Sequence, residues 1–289
     1  MLRPGRCARL LSLVLIAAAC TRTVQPGATG LGKRNITVKG SDTMVILGQR
    51  WAEEYMLAAP AVTVQVTGGG SGTGIAALIN GTVDICQASR PMTDVEKAAV
   101  AVKRGEPAME TRVALDALAI YVNEASPVRQ MSIPALARIY RGEATSWRDF
   151  GGPDHAIVLY GRENNSGTYA YFKEHVLGGS DFASATQTLA GTSALASAVK
   201  GDVYGIGYGG IAYSEGIRVL AIKATEDAPA VVPSLETAQD GSYPLSRPLY
   251  FYTAGDPSLT MTKFITWVTG PEGQKTTTLV GYYPLPAKS

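Results

Sequence analysis

Two kinds of apolar segment alternate along the chain from residue 33 to its end. Short runs rich in β-branched residues predict strands, and longer segments with apolar residues every three or four positions predict helices. The predicted strands are residues 36–38, 62–66, 83–88, 113–122, 157–160, 203–208, 219–222 and 249–253. The predicted helices are residues 43–55, 74–79, 94–104, 133–140, 167–176, 193–200, 209–214 and 258–269. This alternation predicts an α/β fold whose helices cover a largely parallel sheet.

Two apolar strands are placed where each could connect two halves of the molecule. Residues 113–122 lie before a Pro-containing turn, and residues 248–253 lie before the last predicted helix. A protein of two lobes joined by two crossovers needs two such hinge strands. We therefore expect lobe 1 at residues 33–121 and 247–289, and lobe 2 at residues 122–246.

Glycine, serine and threonine cluster three times where a predicted strand gives way to a predicted helix. The longest cluster lies in residues 67–81 (TGGGSGTGIAALING), and shorter ones lie at 41–43 (SDT) and 166–168 (SGT). Glycine permits a tight turn, hydroxyls cap the helix, and the free N–H groups of its first turn attract an oxyanion. One such turn alone is more often structural than functional. Three in one chain indicate convergence on one ligand.

The N-terminal residues 1–20 have the composition of a targeting segment. Arginines precede an apolar run at 10–19 that is too short to span a bilayer. Small residues then lead to Cys20, and this pattern resembles a bacterial lipoprotein signal that leaves a lipid on Cys20. Ala17 stands where such signals usually have leucine, so a secretory signal cleaved just before Cys20 is the alternative. Residues 21–32 predict a flexible tether.

Charge and cysteine content narrow the class of protein. Of 26 Lys and Arg, three lie in the signal, which has no acid, so the mature chain carries 23 basic against 24 acidic residues. This balance gives no support for binding to nucleic acid or to a charged membrane surface. Cys7 leaves with the signal, and Cys86 lies in an apolar run that predicts a buried position. Cys20 and Cys86 could pair only if Cys20 carries no lipid.

The middle of the chain contains its most specific motifs. In order, they are residues 139–142 (IYRG), Trp147, 151–153 (GGP) and 161–168 (GRENNSGT). The first half adds residues 40–43 (GSDT), 70–74 (GSGTG), 81–84 (GTVD) and 88–90 (ASR). Together these motifs resemble the signature of PstS-type phosphate-binding proteins of ABC transporters, over residues 36–283.

The resemblance implies a fold, a function and a location. The fold is the two-lobed periplasmic-binding fold of the second type, with two hinge crossover strands. It closes over one phosphate and delivers it to the permease of an ABC importer. The expected protein is a monomer without enzymatic activity, metal or cofactor. It is expected in the periplasm or at the cell surface, attached to a bacterial membrane through the lipid anchor only.

The resemblance also implies the residues that hold phosphate. In the first lobe they are Thr43, the backbone of Met44, and Ser71. In the second lobe they are Arg162, Ser166, Gly167 and Thr168. Donors next to these positions complete the candidate site, namely Ser41, Gly72, Thr73 and Arg90. A guanidinium, hydroxyls and helix-start amides are suitable donors to an oxyanion. An ordinary ion pair with Glu163 is the alternative role for Arg162, and helix capping is compatible with either role of Ser166.

One position departs from the long-chain members of the family. After the strand at 83–88 and a serine they carry an aspartate, which accepts the proton of hydrogen phosphate and so rejects sulfate; here Arg90 stands instead, as a basic residue does in shorter members. Arg90 either contacts the anion or pairs with a local acid. We hypothesise that Asp42 is the compensating acceptor, since an unpaired acceptor facing a fully ionised anion is costly. A plain helix N-cap is an equal alternative for Asp42.

Other functions have less support in the sequence. His, Cys and carboxylates show no metal-ligand spacing, and the glycine-rich turn lacks the lysine of a P-loop. Residues 69–73 lack the last glycine of a nucleophile elbow. The alternatives that remain are a receptor for sulfate, molybdate or tungstate, an enzyme acting on phosphate esters, and a sensor or surface adhesin built on the same lobes.

Overall fold

The computed structural model describes residues 34–286. The targeting segment predicted at 1–20, the tether predicted at 21–32 and the lipidation predicted at Cys20 lie outside these residues.

Twelve strands and nine α-helices form within residues 34–286. The strands are β1 (Arg34–Gly40), β2 (Val62–Thr67), β3 (Ile85–Ala88), β4 (Ala108–Val122), β5 (Gln130–Ser132), β6 (Val158–Arg162), β7 (Gln187–Leu189), β8 (Gly205–Gly210), β9 (Arg218–Val219), β10 (Ala221–Lys223), β11 (Ala230–Val231) and β12 (Ser246–Ala254). The helices are α1 (Val45–Ala58), α2 (Ser71–Ile79), α3 (Asp94–Arg104), α4 (Ile133–Tyr140), α5 (Gly167–His175), α6 (Thr192–Gly201), α7 (Leu235–Gln239), α8 (Leu259–Thr269) and α9 (Pro271–Val280).

Within the described range, residues 34–286, the main sheet has nine strands and a second sheet has three. The main order is β2-β1-β3-β12-β4-β8-β6-β7, with β9 also paired to β4. The strands β1, β2 and β3 are parallel on one flank, and β6, β7 and β8 are parallel on the other. Antiparallel pairs of β12 with β3, β12 with β4, and β4 with β8 join the flanks. The expected parallel strands therefore form the two flanks of a mixed sheet.

Separate hydrophobic cores lie on the two flanks of the sheet. One consists of buried residues within 117–245 and includes Phe172. Another consists of buried residues within 36–114 and 249–282 and includes Trp51. Strand β4 contributes to both cores and so runs from one to the other, whereas β12 contributes to the second and follows directly on Leu245 of the first.

Helices α3 and α4 have the boundaries that the sequence predicted, residues 94–104 and 133–140. In α3, the Thr93 hydroxyl accepts the N–H of Glu96 at 3.2 Å and the Glu96 carboxylate accepts the N–H of Thr93 at 2.8 Å, which is a capping box. In α4, the Ser132 hydroxyl accepts the N–H of Ala135 at 3.0 Å, and a proline follows in the first turn. Both helices therefore begin at the residue that the sequence indicated.

One predicted helix was wrong, and β5, β7, β11, α7 and α9 were not predicted. The helix predicted at 209–214 is instead the end of the buried, glycine-rich strand β8 followed by a 3₁₀ turn at Ile211–Tyr213. The N–H of Ile211 donates to the Asp116 carboxylate at 3.0 Å, so a tertiary contact sets this turn. The helix α9 was missed because its sequence is rich in threonine and carries a weak apolar pattern, although a proline marks its start.

Candidate functional site

The first of the three helix starts places two buried hydroxyl residues at the carboxyl end of β1. The chain leaves β1 at Gly40, makes a 3₁₀ turn at Asp42–Met44 and continues as α1. Ser41 and Thr43 are each only 1% exposed. Gly40 has a φ of +146°, and a Cβ there would lie 2.1 Å from the carbonyl oxygen of Gln87. Only glycine therefore allows the ends of β1 and β3 to approach at this point.

The second helix start is tied to the residue that follows β3. Ser71 begins α2 and is fully buried. Its Oγ accepts the N–H of Ser89 at 3.1 Å and lies 3.4 Å from the Oγ of Ser89, which is also fully buried. Ser89 was not among the predicted site residues. Its position in the ASR motif at 88–90 could have identified it as a site residue.

The third helix start packs directly against the second. The Oγ of Ser166 accepts the N–H of Tyr169 at 3.3 Å, so Ser166 caps α5. A Cβ on Gly167 would lie 2.3 Å from the Oγ of Ser71 and 2.8 Å from the Oγ of Ser89. The amino-terminal ends of α2 and α5 are therefore adjacent, and each presents the positive end of its helix dipole to the same place.

Two threonine hydroxyls meet between the first and third helix starts. The Oγ1 atoms of Thr43 and Thr168 are 2.8 Å apart, although 125 positions separate the residues in the chain. Both residues are buried. With Ser71 and Gly167 beside them, these predicted residues form one buried cluster of hydroxyls and helix-start amides. Such a cluster is suited to an oxyanion, because it offers many donors and no carboxylate of its own.

Arg162 ends β6 and is buried next to this cluster, with 2% of its surface exposed. Its Nη2 donates to the Oδ2 of Asp42 at 2.7 Å, and its Nη1 donates to the Oγ1 of Thr192 at 2.8 Å. Its Nε donates to the Oε2 of Glu163 at 3.2 Å. All three guanidinium nitrogens thus have protein partners, and the ion pair with Glu163 coexists with a second one.

Asp42 connects the glycine-rich turn to Arg162 rather than capping its own helix. Its Oδ1 accepts the N–H of Gly69 at 2.7 Å, and its Oδ2 accepts from Arg162. The hydroxyl of Tyr213 donates to its carbonyl oxygen at 2.8 Å. Burial raises the pKa of Tyr213 to about 12, so that this hydroxyl stays protonated and remains a donor. The plain N-cap role is therefore not the arrangement found.

Three further predicted donors have protein partners. The N–H of Met44 donates to the carbonyl oxygen of Ser41 at 3.1 Å, within the 3₁₀ turn. The N–H of Gly72 donates to the carbonyl oxygen of Asn165 at 2.9 Å, and the Asn165 amide donates to the Oγ1 of Thr73 at 3.2 Å. Asn165 was not predicted, and it joins the start of α2 to the loop before α5. Contact of these donors with an anion stays a prediction.

Arg90 forms a two-pronged ion pair with Glu96. The two Nη–Oε distances are 2.8 and 2.7 Å, and Nη1 also donates to the carbonyl oxygen of Pro91 at 2.9 Å. This is the pairing with a local acid that the sequence left open. A direct role of Arg90 in holding an anion stays a prediction.

A buried ion pair that sequence reasoning missed touches the cluster. Asp116 of β4 is fully buried, and Arg247 of β12 is 2% exposed. The Nε and Nη2 of Arg247 donate to the Oδ2 of Asp116 at 3.0 and 2.8 Å, and Nη2 also donates to the Oγ1 of Thr168 at 3.1 Å. Burial raises the pKa of Asp116, and the charge of Arg247 opposes that rise. The sequence did contain a hint of this pair, because Asp116 and Arg247 are charged residues inside the largely apolar strands β4 and β12.

Residues 34–286 contain no group of three His, Cys, Asp or Glu side chains placed to hold a metal ion. None of the helices in that range has the length and apolar character needed to cross a membrane. Cys86 is fully buried, as its apolar surroundings predicted.

Sequence comparison relates this chain to known binding proteins. The PBP superfamily domain matches residues 23–272. Phosphate-binding protein PstS of Pseudomonas aeruginosa is 34% identical over 271 residues, which cover 88% of this chain and 84% of that protein. Protein SphX of Synechococcus elongatus is 30% identical over 295 residues, which cover 97% of this chain and 87% of that protein.

Structure comparison agrees with the sequence comparison. An ABC-type phosphate transport receptor from Vibrio cholerae is 29% identical and superposes with a TM-score of 0.70, covering 87% of this chain and all of that one. A Clostridium perfringens protein, assigned as a phosphate ABC transporter substrate-binding protein and solved with bound phosphate, is 25% identical with a TM-score of 0.79. It covers 88% of this chain and all of its own.

Proposed function

Since this chain belongs to the PBP superfamily and, within it, to the PstS-type phosphate-binding proteins, we propose that it captures inorganic phosphate and delivers it to an ABC-type importer. The observation that carries the proposal is the meeting of buried donors from three helix starts, at the contact of Thr43 with Thr168. Both solved relatives described above are phosphate-transport proteins by their names.

The chemistry of the cluster supports an oxyanion as ligand. Removing a multiply charged anion from water is costly unless nearly every oxygen meets a donor. The hydroxyls of Thr43, Ser71 and Thr168 are buried, and the amino-terminal ends of α2 and α5 add free N–H groups. Arg162 supplies a planar guanidinium suited to two oxygens of one anion.

The proposed mechanism is closure of two lobes over the anion. Lobe 1 would comprise residues 33–121 and 247–289, and lobe 2 residues 122–246. The separate cores on the two flanks support this division, and β4 and β12 would act as the hinge. Thr43 and Ser71 lie on one side of the proposed cleft, and Arg162 and Thr168 lie on the other, so each lobe would bring part of the cage.

The finer parts of the proposal concern anchoring and partners. We expect Cys20 to carry the lipid that holds the protein at a bacterial membrane, and the protein to act as a monomer that docks on permease subunits. Mass spectrometry of the protein from its native membrane would reveal the lipid on Cys20. A Cys20→Ser variant should then be released from the membrane fraction, and retention of that variant would contradict the anchor.

The absence of catalysis is also part of the proposal. Phosphate capture needs no nucleophile, base or metal, and the Pseudomonas aeruginosa relative is a phosphate-binding protein by name. An enzyme acting on phosphate esters would release inorganic phosphate from a model ester on incubation with purified protein. We expect no turnover.

Calorimetric titration tests the central claim. A soluble form that lacks the signal and Cys20, residues 21–289, is freed of anion by partial unfolding and refolding, and is then titrated with phosphate, sulfate, molybdate and tungstate at one pH. We expect phosphate to bind more tightly than the other three. Thr168→Val should lower the affinity for phosphate by about tenfold or more, since a hydrogen bond to a charged group is lost. Thr277→Val, which removes a buried hydroxyl from α9, is the matched control.

The outcomes separate the candidate functions. Tighter binding of another oxyanion would leave the site in place and overturn phosphate as its ligand. Equal losses of phosphate affinity in Thr168→Val and Thr277→Val would show that the cluster of hydroxyls around Thr168 is not the binding site.

A further inference from the structure

The ion pair of Asp116 and Arg247 is placed where the proposed hinge meets the proposed ligand site. The two residues occupy paired positions on β4 and β12, the longest strands of the sheet. The Oδ1 of Asp116 accepts the N–H of Ile211 at 3.0 Å, so both carboxylate oxygens have donors. Buried ion pairs often contribute less stability than apolar residues of the same size. Stability alone therefore does not account for this pair.

The contact of Arg247 with Thr168 restricts what the Thr168 hydroxyl can do. A guanidinium only donates hydrogen bonds, so the Oγ1 of Thr168 must accept from the Nη2 of Arg247 at 3.1 Å. The hydroxyl hydrogen then points away from Arg247. It is free to donate to the Oγ1 of Thr43 at 2.8 Å or to a ligand atom in the same place.

The restriction extends to Thr43. When Thr168 donates to Thr43, the hydrogen of Thr43 is in turn free to donate to a ligand. In that arrangement the chain of donors runs from Arg247 through Thr168 to Thr43, and Asp116 holds its first member in place. Each threonine oxygen keeps a second lone pair, but a hydroxyl that accepts from a guanidinium becomes a stronger donor and a weaker acceptor, so a ligand oxygen beside these threonines is met preferentially by a donated hydrogen.

We propose that Arg247, held by Asp116, is a positioning residue that makes Thr168 a better donor than acceptor and thereby favours an unprotonated oxygen at that point of the ligand. The proposal rests on the phosphate function given above. It assigns the proton of hydrogen phosphate to another part of the site, since a proton placed here would face a weakened acceptor.

The consequence is a specific dependence of affinity on pH. Below the second pKa of phosphate a second oxygen becomes protonated, and fewer orientations of the ligand place a bare oxygen at Thr168. Without Arg247 both lone pairs of Thr168 would be open and unpolarised, and the hydroxyl would accept the proton of the singly charged form more readily. Loss of the ion pair should therefore weaken binding of doubly charged phosphate more than binding of singly charged phosphate.

The test compares phosphate titrations on both sides of that pKa. The variant is Asp116→Asn/Arg247→Met, which removes both charges together and keeps a carbonyl oxygen for the N–H of Ile211. We expect its affinity for the doubly charged form to fall about three- to tenfold, with a smaller loss on the acid side. Arg247→Lys keeps a donor and the charge, and should recover part of the wild-type pH profile. Thermal unfolding of each variant verifies that it is folded.

A second comparison isolates the link through Thr168. In a Thr168→Val background the double substitution should no longer change the pH profile, because the hydroxyl that it orients is gone. The same double substitution in a Thr277→Val background should act as it does in the wild type. Persistence of the effect in Thr168→Val would overturn the proposal.

The remaining outcomes separate this inference from the proposed function. If the wild type binds phosphate and the double variant loses equal affinity for both charge forms, the positioning role alone is overturned. The ion pair would then have a structural role only. A wild-type protein that binds no phosphate would overturn the proposed function and this inference together.

Discussion

The carboxylate of Asp42 and the guanidinium of Arg162 join the two halves of the candidate site. They are 120 positions apart in the chain, and the Oδ2 of Asp42 lies 2.7 Å from the Nη2 of Arg162. The side chain of Arg162 is 1% exposed and that of Asp42 is 18% exposed. The same carboxylate accepts the N–H of Gly69 in the glycine-rich turn. An acid is therefore held beside the donors that an anion would use.

Asp42→Asn should lower the preference for phosphate over sulfate. A carboxylate can accept the proton of hydrogen phosphate and repels an anion that has no proton to give, whereas an amide does neither as well. We expect the ratio of the two affinities to fall by about tenfold or more, measured by calorimetry at one pH.

The control for Asp42 is Asp84→Asn. Asp84 accepts the N–H and the hydroxyl of Thr37 at the opposite end of β3 and should leave the ratio unchanged. An unchanged ratio in Asp42→Asn would reject Asp42 as the selectivity residue.

Gly167→Ala should weaken phosphate binding while the protein remains folded. The added methyl would lie 2.3 Å from the Oγ of Ser71, so the starts of α2 and α5 could no longer approach as they do here. We expect a loss of affinity of about tenfold or more, because the cage would close incompletely. Titration calorimetry measures the loss.

Gly201→Ala is the matched substitution for Gly167. A Cβ at Gly201 meets no atom within 4 Å, so this change should leave phosphate affinity at the wild-type value. Unimpaired binding by Gly167→Ala would mean that the two helix starts separate in the bound form.

Glu96→Gln should destabilise the protein at neutral pH and have little effect in acid. Burial raises the pKa of Glu96, but hydrogen bonds from Arg90 and Thr93 outweigh it and lower the pKa overall. A carboxyl whose pKa is lowered by folding stabilises the folded state above its unfolded pKa, and this contribution disappears as the pH falls through the folded value. Because the pair is partly exposed, we expect about 1 kcal/mol at neutral pH.

Urea unfolding at neutral and acid pH measures the contribution of Glu96. Glu53→Gln, in an exposed pair with Arg50, should change the free energy of unfolding by less than about 0.5 kcal/mol at either pH. A deficit in Glu96→Gln that stays the same in acid would contradict the assigned linkage.

Cys86 should be unreactive in the folded protein. Burial raises the pKa of its thiol, and only the thiolate reacts with alkylating agents. Iodoacetamide followed by mass spectrometry should leave Cys86 unmodified under native conditions and modify it in urea. Rapid labelling of the native protein would show that β3 opens to solvent.

The sequence predicted those parts of the fold and the site that depend on local signals. Helices α3 and α4 begin at the predicted residues, where the hydroxyls of Thr93 and Ser132 cap the next turn of the same segment. Likewise Ser166 and Gly167 marked the start of α5. The convergence of three such starts followed from their order along an alternating α/β chain.

The parts that sequence reasoning missed depend on contacts between distant segments. Asp116 and Arg247 are 131 positions apart, and only the register of β4 on β12 brings them together. The turn after β8 depends in the same way on Asp116, which accepts the N–H of Ile211. The pattern of residues within one strand cannot predict such a pair, because Asp116 and Arg247 each stand as a charged residue in a largely apolar strand.

The pairing of β4 with β12 makes the middle of the chain an insertion into a hairpin. Ala117 faces Ser246 across this pair, so residues 118–245 leave and return through points about 5 Å apart. A short turn joining Ala117 to Ser246 would close the remaining chain, and a similar link would circularise the excised segment. A reporter domain spliced at this junction would therefore need no long linker.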